Sequence, residues 1–252
     1  MKKWIVCLAV SLTLVACSSA TNQSVSENSA SSAETKSATD TAVKAAPEAD
    51  KPAAEKAEVK AEAQPQDADI SKLLDPAALN ETAPAEFVVL VKTTKGDMRF
   101  KIDRSWAPNG VDRFYNLVKN GYYSDIAMFR MVPGFVVQFG IHGKPVLNDV
   151  WRDANIQDDP ENKSNVDGTL TFANAGPNTR TTQMFINVGN NTMLDKRGFP
   201  PIGKIIEGRD VLDKLNFEYG EKPNQGMIHK KGNTYLKASF PNLDYIISMT
   251  VE

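Results

Sequence analysis

Apolar and polar positions divide the chain into three parts. Residues 4–14 form an apolar run, and residues 18–69 contain no apolar side chain larger than valine. No aromatic residue occurs between Trp4 and Phe87. From Phe87 onward, short apolar segments with alternating or helical spacing return. The pattern predicts one folded domain over residues 85–252, preceded by a long polar segment that cannot bury a core.

The folded region consists mainly of predicted strands separated by short turns. Two helices are predicted: one begins at Pro108 with its apolar residues on one face, and a short one covers residues 210–215. Eight strands rich in β-branched and aromatic residues are predicted over residues 87–91, 98–102, 127–132, 135–139, 168–173, 184–187, 202–206 and 245–251. Many short strands with only two helices are typical of a mainly β fold, a closed antiparallel barrel capped by helices.

Composition and charge exclude several classes of protein. The formal net charge is −2, which lacks the strongly basic balance typical of nucleic-acid binding. Two cysteines cannot form a disulfide framework, and two histidines leave little for a histidine-rich metal site. The acidic loop over residues 149–161, which includes Asp158 and Asp159, lacks the glycine turn of a calcium-binding EF-hand loop. We interpret it as a solvated loop and expect neither a metal nor a nucleic-acid partner.

The first residues have the layout of a secretory signal peptide. Lys2 and Lys3 precede an apolar run that is too short to cross a bilayer, which takes about 20 apolar residues. The residues that follow, LVAC with Cys17 last, resemble the lipobox of bacterial lipoproteins. That resemblance implies removal of residues 1–16 and lipidation of Cys17. The alternative is an ordinary signal peptide that contains a cysteine.

A lipid on Cys17 implies a membrane-anchored protein of the cell envelope. Ser18 resembles the pattern of lipoproteins sent to the outer membrane of Gram-negative bacteria. In such a host we expect the domain to face the periplasm. In a bacterium with a single membrane, the same Cys17 would anchor the domain outside the plasma membrane.

Residues 17–84 form the predicted linker between the anchor and the domain. They are rich in Ala, Ser, Glu and Lys, and they lack the apolar area needed to offset the entropy of ordering. Two interpretations stay open: a spacer that lifts the domain off the membrane, or a tail with no selected role. Both predict disorder. Residues 70–79 are expected to add a short helix at the edge of the domain.

Two strings in the folded region are specific. Residues 129–140 have the sequence FRMVPGFVVQFG, and residues 168–187 have the sequence GTLTFANAGPNTRTTQMFIN. Both closely resemble signature stretches of the cyclophilins, a family of peptidyl-prolyl cis-trans isomerases built on an eight-stranded barrel. The resemblance extends over residues 87–252. It implies a cyclophilin-like barrel and an enzyme that accelerates X–Pro isomerisation without a metal or a cofactor.

The resemblance also implies a catalytic set. An X–Pro bond rotates slowly because amide resonance sets a barrier of about 18–20 kcal/mol, and rotation gives the prolyl nitrogen a basic lone pair. Arg130 matches the arginine that stabilises the twisted amide, and Phe135 and Gln138 match its catalytic neighbours. The implied substrate-binding residues are Val136, Ala173, Asn174, Ala175, Gln183, Phe185, Met193, Leu194 and Phe199.

The sequence departs from the family pattern at one wall of the implied pocket. Met193 stands two residues ahead of Asp195, where many cyclophilins carry a tryptophan, and the family's histidine a few residues later has no counterpart. Phe199 is the expected replacement at that wall. These departures lower the expected affinity for cyclosporin more than they affect the interpretation as an isomerase.

Three functions stay open from the sequence. The first is an isomerase that speeds the folding of secreted and envelope proteins, with proline-containing polypeptides as its substrates. The second is a non-catalytic module that binds proline-containing peptides or acts as a chaperone, and the third is a structural surface lipoprotein. Intact Arg130, Phe135 and Gln138 favour the enzyme. We expect a monomer held to the membrane by its N-terminal lipid.

Overall fold

The computed structural model of the chain describes residues 70–252. The predicted signal peptide, the lipidation of Cys17 and the linker up to residue 69 lie outside the described residues. The described part is built around one antiparallel sheet. No helix within residues 70–252 is both long enough and apolar enough to cross a membrane.

Residues 70–252 contain nine strands in a single sheet. They are β1 (Glu86–Thr93), β2 (Gly96–Asp103), β3 (Ile126–Ala127), β4 (Arg130–Val132), β5 (Val136–Phe139), β6 (Thr169–Phe172), β7 (Met184–Asn187), β8 (Pro201–Glu207) and β9 (Tyr245–Val251). Their order across the sheet is β3-β9-β1-β2-β8-β6-β7-β5-β4, and every pairing is antiparallel. The predicted mainly β fold is therefore present.

The edges of this sheet are formed by β3 and β4, which are consecutive in the chain. Between them, the Met128 N–H donates to the Asp244 carbonyl at 3.0 Å, while the Phe129 N–H donates to the Gln138 carbonyl at 3.1 Å. The segment that contains β3 and β4 therefore pairs with β9 at one edge of the sheet and with β5 at the other edge. The sheet consequently curls into a barrel-like form. The strand count is nine rather than the predicted eight because this segment is divided in two.

The inner face of the sheet follows the alternation of the sequence. In β1, Val89 and Val91 are buried while their neighbours in the strand are more exposed. In β2, Phe100 and Ile102 are likewise buried between more exposed neighbours. Alternate side chains of a strand point to opposite faces, so these residues meet in one core. The core continues into the first helix, α1 (Pro108–Lys119), through Val111, Phe114, Leu117 and Val118.

Three α-helices occur among the described residues, where two helices were predicted. Besides α1, the chain forms α2 (Pro145–Trp151) and α3 (Gln225–Ser239), and the predicted helix near residues 210–215 is a 3-10 helix, Arg209–Lys214. No helix was predicted over the residues of α3, which include two glycines. Gly232 divides α3 into two helical parts at a kink, because its backbone has the non-helical values φ +55° and ψ −143°. A Cβ there would collide with the carbonyl oxygen of Gly143.

Residues ahead of β1 also join the core. The predicted short helix at the domain edge is present as two 3-10 turns, Ser71–Leu74 and Pro76–Ala78. Leu73 is buried, and its carbonyl accepts a hydrogen bond of 2.8 Å from the indole N–H of Trp151.

The acidic loop is only partly solvated, which corrects the prediction for Asp159. This carboxylate is buried and accepts hydrogen bonds from the backbone N–H groups of Asn109 and Gly110, at 2.8 and 2.7 Å. It also lies 3.0 Å from Nη1 of the buried Arg180. Asp159 therefore satisfies two N–H groups in the first turn of α1 that have no partner inside the helix.

Candidate active site

Two adjacent short strands, β4 and β5, form the centre of the candidate site. Arg130 and Gln138 are directly paired residues across these antiparallel strands. The strands are joined by a tight turn in which the Phe135 N–H donates to the Val132 carbonyl at 3.0 Å. Gly134 in that turn has φ +68°, a conformation that other residues rarely adopt. The strand pairing and the turn together place the Arg130 guanidinium beside the Gln138 amide.

The guanidinium group of Arg130 has contacts on three sides. Nη1 lies 3.4 Å from Oε1 of Gln138, and the Phe135 ring centroid is 5.6 Å from Cζ. Nε donates to one carboxylate oxygen of Glu221 at 2.6 Å, and Nη2 lies 2.5 Å from the same oxygen as an ion-pair contact. The Arg130 side chain is 26% exposed, so part of it stays open to a ligand.

Gln138 connects the arginine to the next strand. It is nearly buried, and its Nε2 donates to Oε1 of Gln183 at 3.0 Å. Arg130, Gln138 and Gln183 therefore form one line of polar contacts across the face of the sheet. The orientation of the Gln138 amide follows from this line, because its oxygen faces the cation and its nitrogen faces Gln183.

Next to Arg130 lies an apolar cluster that is separate from the main core. Its buried members are Val136, Phe185 and Leu194, and Phe135, Ala173 and Phe199 pack against it while staying partly exposed. The rings of Phe185 and Phe199 meet edge to face with centroids 5.9 Å apart. Six of the predicted residues thus form a single apolar surface beside the cation.

A network of buried asparagines supports one wall of this apolar cluster. Nδ2 of Asn191 donates to the Phe135 carbonyl and to Oδ1 of Asn187, both at 2.7 Å. Nδ2 of Asn165 donates to the Phe199 carbonyl at 2.9 Å. Since Asn165, Asn187 and Asn191 are all buried and bonded, they hold the segment that carries Leu194 and Phe199.

Asp195 ties the same wall to the preceding loop. Its carboxylate accepts hydrogen bonds from the Ser164 hydroxyl and from the backbone and side-chain N–H groups of Asn165. Burial tends to raise the pKa of Asp195, but these hydrogen bonds outweigh burial and hold the pKa below its ordinary value of 3.8. The ionised carboxylate is therefore the form that fixes the wall.

The segment Ala173 to Ala175 borders the other side of the site. The Ala173 N–H donates to the Gln183 carbonyl at 2.9 Å, and Nδ2 of Asn174 donates to the Gly198 carbonyl at 2.6 Å. The exposed Ala175 is held by its N–H, which donates to Oγ1 of Thr179 at 2.8 Å. Asn174 thereby links this segment to the loop that carries Phe199.

A cavity of about 520 Å³ adjoins this segment. Part of its lining comes from α2, the two residues after it and α3, through Asp149, Arg152, Asp153, Gln225, Gly226, His229 and Lys230. The other part comes from Gln138, Ala173, Asn174, Ala175, Thr179, Thr181 and Gln183. Burial lowers the pKa of His229, and the nearby Arg152 lowers it further, so the imidazole is neutral at neutral pH.

The structure brings most of the predicted site residues together but not all of them. Arg130, Gln138 and Gln183 meet, and so do the members of the apolar cluster. Met193 lies outside that cluster, with 56% of its surface exposed. Glu221 and the cavity residues contributed by α2, the residues after it and α3 were not predicted as part of the site. Glu221 and the residues of α3 lie beyond both signature strings, those near α2 lie between the strings, and no motif marks them.

The chain is similar to known peptidyl-prolyl cis-trans isomerases. A family model described as cyclophilin type peptidyl-prolyl cis-trans isomerase/CLD matches residues 88–231. A peptidyl-prolyl cis-trans isomerase of Acinetobacter baylyi is 32% identical over 139 residues, which cover 53% of this chain and 73% of that protein. Peptidyl-prolyl cis-trans isomerase A of Dickeya dadantii is 29% identical over 133 residues, 51% of this chain and 70% of that protein.

The chain is also similar to part of a longer protein and to a solved structure. The isomerase cyp15 of Rhizopus delemar is 30% identical over 142 residues, which cover 54% of this chain but 22% of that longer protein. A crystal structure of a cyclophilin type isomerase from Cryptosporidium parvum has 24% sequence identity and a TM-score of 0.49, covering 66% of this chain and 98% of that one.

The matched family model covers more than half of the chain, since residues 88–231 are 144 of 252. The chain therefore belongs to the family of cyclophilin-type peptidyl-prolyl cis-trans isomerases. The predicted class of enzyme and the predicted family are confirmed.

Proposed function

We propose that the domain accelerates rotation of X–Pro bonds through a hydrogen bond from Arg130 to the prolyl nitrogen. In the planar amide this nitrogen is a poor acceptor, because its lone pair is conjugated with the carbonyl. As the bond twists, the lone pair becomes available, and a fixed cation then stabilises the twisted state more than either planar state. Such a difference between transition state and ground state is what lowers a barrier.

The observation that carries this proposal is the apolar cluster beside a fixed guanidinium. A proline ring packed on Phe185 and Leu194 would lie next to Arg130, whose Cζ is 5.6 Å from the Phe135 ring. The apolar surface binds the ring, and Gln138 holds the cation. Residues of the polypeptide next to the proline would lie along Ala173–Ala175 and in the adjoining cavity.

The test of this role compares two arginine variants of the purified full chain. Removal of one donor that acts on the transition state costs about 100-fold or more in comparable sites. We expect Arg130→Ala to lower kcat/KM for a proline-containing tetrapeptide by about 100-fold. The matched control is Arg209→Ala, which removes a surface arginine paired with Asp167 and Asp213 and is expected to keep full activity. Equal activity of the two variants would contradict the proposed role.

A second candidate function is a module that binds proline-containing chains with negligible turnover. The exposed position of Met193 favours it, because the wall of the cluster then depends on Phe199 and Leu194 alone. The two candidates differ in one observable: a binding module retains peptide affinity but does not change the rate of isomerisation.

We also propose that the domain acts in the cell envelope, on secreted and envelope proteins, as a lipid-anchored monomer. The support is the sequence around Cys17, with the basic and apolar residues before it. In a Gram-negative host the expected site is the outer membrane, facing the periplasm. Cys17→Ala is expected to release the protein from the membrane fraction or to stall processing, and unchanged fractionation would contradict the anchor.

A further inference from the structure

We infer that Glu221 is a positioning residue for Arg130, an inference that rests on the proposed role of Arg130. One oxygen of its carboxylate accepts a hydrogen bond of 2.6 Å from Nε and lies 2.5 Å from Nη2. The two residues are far apart in the sequence, and Glu221 lies in the loop between the last 3-10 helix and α3. No motif in the sequence indicates this contact.

The contact fixes how the guanidinium plane is turned. A guanidinium has five N–H donors in a rigid planar arrangement. Glu221 accepts the Nε–H and lies in ion-pair contact with Nη2, and Gln138 accepts one N–H of Nη1. Anchors on two sides restrict rotation of the plane and leave other N–H groups for a substrate. Without Glu221, the group would keep only the longer hydrogen bond to Gln138, at 3.4 Å, and the contact with the Phe135 ring.

The loop that carries Glu221 is attached to the rest of the domain on two sides. The carbonyl of Gly220 accepts from the backbone N–H of Met131, next to Arg130, at 3.0 Å. The ring of Tyr219 packs on Phe240 just after α3, with centroids 5.2 Å apart. The loop that carries the Glu221 carboxylate is therefore held in place by β4 on one side and by the residue after α3 on the other.

The exposure of the Glu221 carboxylate indicates that it orients the Arg130 guanidinium and adds little attractive energy. The Glu221 side chain is 62% exposed, and exposed ion pairs contribute little binding energy and weaken in salt. A small effect on rate follows, since orientation acts on the step in which the amide twists. We expect Glu221→Ala to lower kcat about three- to five-fold with KM changed less than about two-fold.

The experiment measures kcat and KM on the full chain for Glu221→Ala, Glu221→Gln and Glu218→Ala. Gln keeps an acceptor oxygen without the charge, so its loss is expected to be smaller than that of Ala. Glu218 lies in the same loop, but its carboxylate accepts from Nδ2 of Asn242, so Glu218→Ala is expected to match the wild type. At about 0.5 M NaCl the wild type is expected to fall towards the Glu221→Ala value, which itself stays constant.

A second readout is independent of turnover. In the NMR spectrum, the Nε–H proton of Arg130 is expected to exchange slowly with water in the wild type and in Glu218→Ala, and rapidly in Glu221→Ala. Unchanged kcat and unchanged exchange in Glu221→Ala would overturn the inference, as would a rise in activity or a change in KM alone. If Arg130→Ala itself retains activity, the proposed function fails. If only Arg130→Ala loses activity, the positioning role alone fails.

Discussion

Arg130 and Gln138 are cross-strand partners, so the register of one pair of short strands sets the distance between the cation and the amide. Directly opposed residues of an antiparallel pair project on the same face and lie close together. A slip of one residue would turn one of the two side chains to the other face. The turn around Gly134 therefore contributes to the geometry of the proposed catalytic pair.

Removal of the Gln138 side chain is expected to impair turnover without unfolding the domain. Gln138→Ala deletes the acceptor for Nη1 of Arg130 and the donor for Gln183. A hydrogen bond to a charged group contributes about 1.5 kcal/mol or more, which corresponds to about a tenfold loss in kcat/KM. Peptide assays give the rate, and thermal unfolding checks the fold. Wild-type kcat/KM in the folded variant would contradict the role of Gln138.

Phe199 and Met193 make a matched pair that tests which residue forms the wall of the apolar cluster. Phe199 touches the Phe185 ring, whereas Met193 is largely exposed and outside the cluster. Phe199→Ala is expected to raise KM several-fold, because an aromatic contact of this kind is worth about 0.5–1.5 kcal/mol in addition to buried area. Met193→Ala is expected to leave KM unchanged. The reverse order of effects would show that Met193 contacts the substrate.

Asp195 is expected to make the wall sensitive to acid. Its pKa lies below the ordinary value of 3.8, so the ionised carboxylate stabilises the folded state. That contribution is fully present above the unfolded pKa and is lost as the pH falls through the lower, folded pKa. Urea unfolding of the wild type and Asp195→Asn should therefore differ near neutral pH and converge below about pH 4. Asp153→Asn, at an exposed position, serves as the control and should match the wild type near neutral pH.

His142 predicts a second pH dependence, in a higher range. Burial first, and the neighbouring Lys144 second, lower its pKa from 6.5 to about 4, although Asp125 opposes this. Nδ1 of the neutral ring accepts from the Lys144 backbone N–H at 2.9 Å. Because the unfolded chain binds this proton more readily, stability is expected to fall by up to about 3 kcal/mol between pH 6.5 and 4.

The control for this prediction is His142→Asn, which keeps a side-chain acceptor but does not titrate. Unfolding free energies measured from about pH 7 to pH 4 should decline less in the variant than in the wild type. Parallel curves would show that His142 is not the group responsible.

The sequence predicted the parts of the molecule that depend on local pattern. Val89 and Val91 alternate with less buried residues, and this spacing was sufficient to assign β1. Arg130 and Gln138 lie within one continuous string, so a resemblance could identify both. These features need only the order of nearby residues.

Other parts depend on contacts between distant residues and could not be predicted. Asp159 is buried because Arg180 and the start of α1 surround it, and neither is adjacent in the sequence. Glu221 reaches Arg130 only after a loop from the far end of the chain is placed against β4. The helix α3 contains Gly232, whose left-handed conformation fits the close approach of Gly143 rather than any helical pattern.

The central claim is that Arg130 acts on the twisted amide rather than on binding. The most direct measurement is NMR exchange spectroscopy of an X–Pro peptide, which reports binding and the rate of cis–trans exchange in one sample. With the full chain, we predict rapid exchange of the bound peptide. With Arg130→Ala, we predict similar binding and exchange slowed by about 100-fold. Loss of binding with unchanged exchange of the bound peptide would contradict the claim.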